Sequence, residues 1–285
     1  LSDPPIQFHF QLVMSSDIGP RKSEATVKCI SLYQSFADWW KTSSELTKAT
    51  GSKSISTSAW IRLRQIEYDL YRSTMTNNVY IKPLKGSDDL TCTGNFCETS
   101  DLDSASIVAE IIDVEIETGI FIHEFYLENK AKTETAPIDI VIIHGYMAAT
   151  GYFLKNYETL ASTPGVRVHG IDLLGFGNSS RPKFPNDLLA TKEGHFDKVR
   201  QVLDCELWFI ESIEKWRKKR AIKNFKLIAH SMGAYLLSCY LMKFNHQYGV
   251  DRPIVTEFLC VSPMGTEPNK LSLLLDESIQ FNHYS

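Results

Sequence analysis

The 285-residue sequence lacks the features of a membrane-spanning, metal-binding or disulfide-linked protein. It has no uninterrupted apolar run near the roughly 18–20 residues that a transmembrane helix needs. The six cysteines are scattered, and Cys92 and Cys97, the one close pair, have no second pair with which to complete a zinc site. Because scattered cysteines in a chain of this size are typical of reduced, buried thiols, we expect an intracellular protein.

The chain also lacks an excess of positive charge. Lysine and arginine number 30 against 34 aspartates and glutamates, which gives a net charge of −4. A dedicated nucleic-acid binder is usually strongly basic, so we expect no nucleic-acid partner. The sequence has no phosphate-binding glycine loop and no cluster of metal ligands, and we therefore expect neither a cofactor nor a metal. What remains is typical of a globular protein, with 43% hydrophobic and 22% charged residues.

The sequence divides into three regions. Residues 1–30 contain proline and glycine turn formers, and we expect them to be poorly ordered. Residues 31–106 combine a helical, tryptophan-containing segment with a polar linker. Helical spacing in this region is shown by four apolar residues: Ala59, Leu63, Ile66 and Leu70. Residues 107–285 form a third region, in which strand patterns and helical patterns alternate.

Strands and helices alternate along this third region. The run from Ile138 to Ile143 is apolar except for Asp139, which is typical of a parallel strand covered on both faces. Strand patterns are found at 107–117, 119–126, 138–143, 166–171, 225–229 and 255–261, and helical patterns at 152–162, 199–213 and 233–244. This alternation predicts an α/β fold in which helices flank a mostly parallel central sheet.

The sharpest local signal surrounds Ser231, in the segment KLIAHSMGAY of residues 226–235. A hydrophobic strand pattern runs into the serine, and a helical pattern follows at once. This is the context of a nucleophile elbow, a tight turn that projects a serine hydroxyl from the sheet. The flanking residues Ala229 and Gly233 are small enough for strand and helix to approach, although the common pattern has glycine at both positions. The alternative is a helix N-cap serine without chemistry.

A second motif, His144-Gly145-Tyr146, follows an earlier apolar strand. Acyl transfer generates an oxyanion that two backbone N–H groups stabilise. One donor usually belongs to the residue after the nucleophile, here Met232, and the other to a loop after an earlier strand, here Tyr146. We interpret the ring of His144 as structural and the backbone of its loop as functional.

Asp172 ends the strand pattern at 166–171. Ligands often bind at the carboxyl ends of strands in α/β sheets. We expect Asp172 instead to hold the loop from Gly175 to Gly177 by hydrogen bonds to backbone N–H groups.

Together these motifs resemble the α/β-hydrolase fold. The resemblance rests on the elbow and on three further segments: VIIHG at 141–145, GIDLLGFGNSSRP at 170–182 and FLCVSPMG at 258–265. More specifically, these segments resemble the ABHD4/ABHD5-like branch of the fold, which includes fungal cardiolipin deacylases and lysophosphatidate acyltransferases. The run DLLGFGNSSRP is the most specific piece, and the segment around Trp39 and Trp40 is similar to the tryptophan-rich N-terminal region of the same branch.

The resemblance implies a serine-dependent lipid acyl hydrolase or acyltransferase, acting on phospholipids by cardiolipin deacylation or lysophosphatidic acid acylation. One vertebrate lipase coactivator of the branch has asparagine at the nucleophile position, so Ser231 implies a catalytic member. The implied partners are a phospholipid or lysophospholipid substrate, acyl-CoA and a membrane surface bound peripherally. The implied location is the mitochondrial inner membrane, with lipid droplet, endoplasmic reticulum and cytoplasm as alternatives. The rival function is a non-catalytic lipid-surface binding protein that regulates a lipase.

A serine nucleophile needs a histidine base and a carboxylate, which in this fold follow the serine in the order acid, then histidine. After Ser231, the histidines are His246 and His283, and the aspartates are Asp251 and Asp276. His246 falls at the wrong end of the helix after the elbow, and the pair Asp276 and His283 falls where the family begins its lid. We therefore expect the acid and base beyond residue 285, in a chain that stops before the lid and the last strands and is inactive as given.

Two further features have a membrane interpretation. Trp39 and Trp40 suit the boundary between lipid headgroups and acyl chains, and the alternative is that they pack on the core. Seven lysines and arginines between Lys215 and Lys226 would meet anionic headgroups. For this cluster we prefer the alternative of a solvated helix C-terminus, where the helix dipole favours cations.

Overall fold

In the computed structural model, the described residues 58–84, 105–134 and 136–265 build a seven-stranded sheet flanked by helices. The helices are α1 (Ser58–Thr74), α2 (Leu154–Ala161), α3 (His195–Lys219) and α4 (Met232–Phe244). The strands are β1 (Val79–Ile81), β2 (Ile107–Glu117), β3 (Ile120–Asn129), β4 (Ile138–Ile143), β5 (Val166–Ile171), β6 (Phe225–His230) and β7 (Val255–Val261). A short 3₁₀ turn, Thr150–Phe153, leads into α2.

The strand order in the sheet is β1-β2-β3-β5-β4-β6-β7. Four strand pairs are parallel: β1–β2, β4–β5, β4–β6 and β6–β7. Only the pairs β2–β3 and β3–β5 of these described strands are antiparallel. The predicted α/β fold with a mostly parallel sheet is confirmed.

The core lies on both faces of the sheet because apolar side chains of the central strands point to both sides. On β4, Val141 and Ile143 pack in one hydrophobic cluster with Trp216 of α3. Ile142 points to the opposite face and packs in a second cluster with Tyr157 of α2. The central strands therefore bury side chains on both faces of the sheet, as expected for a parallel sheet.

The strand bounds agree closely with the sequence patterns. Four strands have the predicted limits: 107–117, 138–143, 166–171 and 255–261. Strand β1 was not predicted; it joins the sheet edge by parallel pairing with β2, although it lies within the stretch assigned to the helical region and polar linker. The domain boundary at residue 107 stays a prediction, and residues 1–30 lie outside the described part of the chain.

The three parallel strands β4, β5 and β6 are neighbours, so their carboxyl ends lie at the same edge of the sheet. The residues that follow them are His144, Asp172 and Ser231. The topology thus brings together three candidate residues that are far apart in the sequence.

Candidate active site

Ser231 lies on the tight turn between β6, which ends at His230, and α4, which begins at Met232. Its backbone has φ 52° and ψ −118°, in a region that L-residues rarely adopt. It occupies the N-cap position, yet its side chain makes no capping hydrogen bond. The backbone geometry predicted for a nucleophile elbow is therefore confirmed, whereas the N-cap alternative lacks its defining bond.

Small residues allow this turn to form, as the motif requires. Ala229 is completely buried beneath the turn. A Cβ atom at Gly233 would overlap the carbonyl oxygen of His144, so strand, loop and helix meet too closely for any side chain there. The turn is also tied to the sheet edge, because the N–H of Ser231 donates to the carbonyl of Val261 at 3.0 Å.

The loop after β4 packs directly against the serine. A Cβ atom at Gly145 would lie 2.9 Å from the Cβ of Ser231, which places this loop at van der Waals distance from the elbow. Tyr146 follows within a turn closed by the N–H of Ala148 and the carbonyl of Gly145. Met232 is the first residue of α4, where a backbone N–H has no acceptor within the helix. The two predicted oxyanion donors thus belong to the two segments that meet at Ser231; their role stays a prediction.

The ring of His144 is fully buried and both of its nitrogens contact the backbone. Nε2 accepts the N–H of Leu173 at 3.0 Å, so Nδ1 carries the proton and donates to the carbonyl of Gly145 at 2.7 Å. Burial lowers the pKa of His144, and the ring is neutral near pH 7. These bonds join β4 to the loop after β5, in agreement with a structural ring.

Asp172 holds two loops at once. Its Oδ1 accepts the N–H of Thr150 at 2.6 Å, and its Oδ2 accepts the N–H of Asn178 at 2.7 Å. A Cβ atom at Gly177 would overlap this carboxylate, and Gly177 has φ 48°. Asp172 thus bonds the residue that follows the Gly175–Gly177 loop and also contacts the loop after β4 through Thr150; its role in loop support stays a prediction.

Two contacts at the elbow were not anticipated from the sequence. The ring of Tyr152 stacks on His230 with centroids 5.1 Å apart, which holds the far end of the loop after β4 against the elbow. The N–H of Met264 donates to the carbonyl of Ser231 at 3.2 Å. Neither contact has a sequence signal, because each depends on how loops from different strands meet.

Ion pairs around the buried ring of His123 attach helix α1 to the sheet near the site. His123 on β3 contacts Glu67 of α1 through Nε2 at 2.8 Å and Asp113 of β2 through Nδ1 at 3.1 Å. Arg64 of α1 pairs with the same aspartate. Burial alone lowers the pKa of His123, but the carboxylates outweigh it and raise that pKa to about 9. Glu67 also accepts a hydrogen bond from Asn178 of the glycine loop, at 3.0 Å.

Several predicted residues fall elsewhere. Trp39, Trp40, Asp276 and His283 lie outside the described residues. His246 follows the last residue of α4, about 20 Å along the helix from Ser231 at 1.5 Å per residue over its 13 residues. As expected, it lies at the wrong end of the helix to serve as the base.

The basic cluster is largely neutralised within the protein. Its cations contact carboxylates in five pairs: Lys215–Glu117, Arg217–Glu214, Lys218–Glu214, Arg220–Glu124 and Lys226–Glu257. This pairing favours the structural interpretation of the cluster. Among the helices of the described ranges, none combines the length and the apolar character needed to cross a bilayer.

Residues 140–276 match the family model for the alpha/beta hydrolase fold. The chain has the alpha/beta-hydrolase fold. Its elbow, glycine loop and sheet edge are the parts described above, and the recognition of this fold from its motifs is confirmed.

The hydrolase domain is similar to curated lipid-modifying proteins. It is 41% identical over 110 residues to a 1-acylglycerol-3-phosphate O-acyltransferase of Arabidopsis thaliana, covering 39% of this chain and 22% of that protein. It is 35% identical over 126 residues to a human (lyso)-N-acylphosphatidylethanolamine lipase, covering 44% of this chain and 30% of that protein. Among solved structures, a CIB-like hydrolase from Thermoplasma acidophilum is 17% identical with a TM-score of 0.37, covering 56% of this chain and 66% of that chain.

The chain spans between a fifth and a third of the length of the curated relatives it matches. Those relatives include both acyltransferases and lipases, and both kinds modify the acyl groups of lipids.

Proposed function

We propose that this protein is a serine-dependent lipid acyl hydrolase or acyltransferase with Ser231 as its nucleophile. The observation that carries the proposal is the strained backbone of Ser231, whose side chain makes no capping bond and whose neighbour across the turn is the Gly145 loop. Strain of this kind persists only where the surrounding structure enforces it, and it is concentrated at functional sites.

The geometry supports a two-step acyl transfer. The Oγ of Ser231 attacks the ester carbonyl carbon and gives its proton to a general base, which we place with its carboxylate outside the described residues. The N–H groups of Tyr146 and Met232 stabilise the oxyanion. Collapse breaks the ester bond of a lipid donor, or the thioester bond where acyl-CoA is the donor. The leaving alcohol or thiol takes the proton, and an acyl-serine remains. Water or a lysophospholipid hydroxyl then attacks this acyl group and regenerates Ser231.

The proposed substrate class is glycerophospholipid. Support comes from the curated relatives, which are named for acylglycerol phosphate and N-acylphosphatidylethanolamine. Lysophosphatidic acid with acyl-CoA as donor, and cardiolipin with water as acceptor, are the two reactions to compare. The mitochondrial inner membrane and the membrane contact through Trp39 and Trp40 are proposals supported by the family resemblance, and fractionation of cells expressing the tagged protein tests the location.

Labelling with an alkyl fluorophosphonate tests the nucleophile, on a form of the protein that includes the catalytic acid and base. We expect labelling of the wild type and of Ser238→Ala, which removes an exposed serine of the same helix, and no labelling of Ser231→Ala. Turnover of radiolabelled lysophosphatidic acid, with and without acyl-CoA, and of cardiolipin then separates transfer from hydrolysis. Labelling that persists in Ser231→Ala would assign the chemistry to another residue. An unlabelled wild type that still binds phospholipid vesicles would favour the non-catalytic lipid-surface regulator.

A further inference from the structure

A cavity of about 750 Å³ lies between α1 and the loops that follow β4 and β5. Its volume is within the range of roughly 300–1,000 Å³ typical of small-molecule sites. Most of its wall is apolar, and the large side chains that form it are Leu63, Ile66, Leu70, Tyr146, Met147 and Phe176. Four of them are exposed by 43–69%, although large apolar side chains gain free energy from burial.

The loop after β4 is a wall shared by this cavity and the elbow. Its first residue, Gly145, packs against Ser231, and Tyr152 near its other end stacks on His230. The residues between them, from Tyr146 to Gly151, line the cavity. A ligand in the cavity is therefore separated from the nucleophile by a single loop, the one that supplies a proposed oxyanion donor.

The charged and amide side chains of the cavity wall are already engaged within the protein. Glu67 contacts His123 and Asn178, and Asp172 accepts two backbone N–H groups. Arg181 donates to the carbonyls of Ser179 and Gly177 at 3.1 and 2.8 Å. A polar ligand would have to displace these bonds, whereas an apolar ligand would leave them intact. The wall is therefore suited to hydrocarbon.

We propose that this cavity binds the acyl chain of the lipid substrate, and that α1 forms half of the acyl site. The proposal rests on the proposed function for its choice of ligand. It assigns a binding role to a helix that lies outside residues 140–276, the part of the chain that matches the hydrolase family model. The ion pairs of His123 with Glu67 and Asp113, and of Arg64 with Asp113, hold α1 in place, so the cavity is formed before a ligand enters.

Equilibrium binding of an anthroyloxy-labelled stearate to the full chain tests the acyl site without any catalytic step. Leu70→Trp and Ile66→Trp fill the cavity from positions that are exposed by 43% and 54%, so neither disturbs the core. We expect each to weaken binding by about tenfold, the loss for roughly two methylene groups that can no longer be buried. Ile138→Trp is the matched control, because Ile138 is exposed by 42% at the start of β4 and does not line the cavity.

The outcomes separate the acyl site from the nucleophile. Ser231→Ala should bind the labelled stearate as tightly as the wild type, because the serine does not line the cavity. Binding that is lost in the two tryptophan variants but kept in Ser231→Ala and Ile138→Trp supports the proposal, even if the fluorophosphonate fails to label Ser231. Unchanged binding in both cavity variants, or equal weakening by Ile138→Trp, would overturn it.

Discussion

His123 and His144 are buried to the same extent but differ in charge: His123 is protonated and His144 is neutral. Both side chains are 0% exposed. His144, at the sheet edge beside the elbow, contacts backbone groups and is neutral. His123, beneath α1, lies between two carboxylates and is charged. At equal burial, the carboxylate partners of His123 account for the difference in protonation between the two rings.

The sheet edge at Ser231 and the attachment of α1 are stabilised by different kinds of interaction. The edge that holds Ser231 depends on close backbone approach and on hydrogen bonds from N–H groups, so it demands glycine and small residues. The attachment of α1 depends on ionised side chains. Substitutions and pH should therefore affect the two regions in different ways.

Removing a carboxylate from the charged region should have the largest effect. Glu67→Ala leaves the His123 ring with one carboxylate and removes a partner of Asn178. Breaking a buried ion pair from one side costs about 3–5 kcal/mol. We expect urea denaturation to show a loss of that size, and Glu211→Ala, on the exposed face of α3, to change stability by less than about 0.5 kcal/mol. Equal stability of the two variants would contradict a charge-based attachment of α1.

A smaller loss is expected from a side chain in the glycine loop. Gly175 and Gly177 both have positive φ, which costs about 1–2 kcal/mol for any other residue. A Cβ at Gly177 also overlaps the Asp172 carboxylate, whereas a Cβ at Gly175 has nothing within 4 Å. Gly177→Ala should therefore unfold at clearly lower urea than Gly175→Ala, by about 1–3 kcal/mol. Equal stability of the two alanine variants would contradict the close contact between Gly177 and the Asp172 carboxylate.

The two histidines should also give stability contributions whose pH dependences have opposite sign. The pKa of His123 is raised to about 9, so its contribution to stability is full below about pH 6.5 and is lost as the pH rises through 9. The pKa of His144 is lowered, so its contribution is full above about pH 6.5 and is lost as the pH falls.

Urea denaturation at several pH values separates these two contributions. The stability difference between wild type and His123→Gln should shrink between pH 6.5 and 9, whereas that between wild type and His144→Gln should shrink below pH 6.5. A difference that is constant with pH for either pair would refute the assigned charge of that histidine.

Much of the fold and part of the site could be predicted from local sequence patterns. The strands at 138–143 and 166–171 are short and mainly apolar, and apolar segments of this kind are typical of buried strands in a parallel sheet. The elbow at Ser231 was also predictable, because strand, serine and helix are consecutive and the small residues at 229 and 233 are part of the same segment. Strand β1 has three residues, too short for a periodic pattern, and was missed.

By itself, the sequence determined which segments are strands, where the turn at Ser231 falls and which small residues it needs, because these depend on neighbours in the chain. The tertiary structure decided the rest. The charge of His123, the stacking of Tyr152 on His230 and the cavity between α1 and the loop after β4 all join segments that are far apart in the sequence. The pKa of a group and the shape of a cavity depend on what surrounds them in space, and only the packing of the sheet and helices supplies those surroundings.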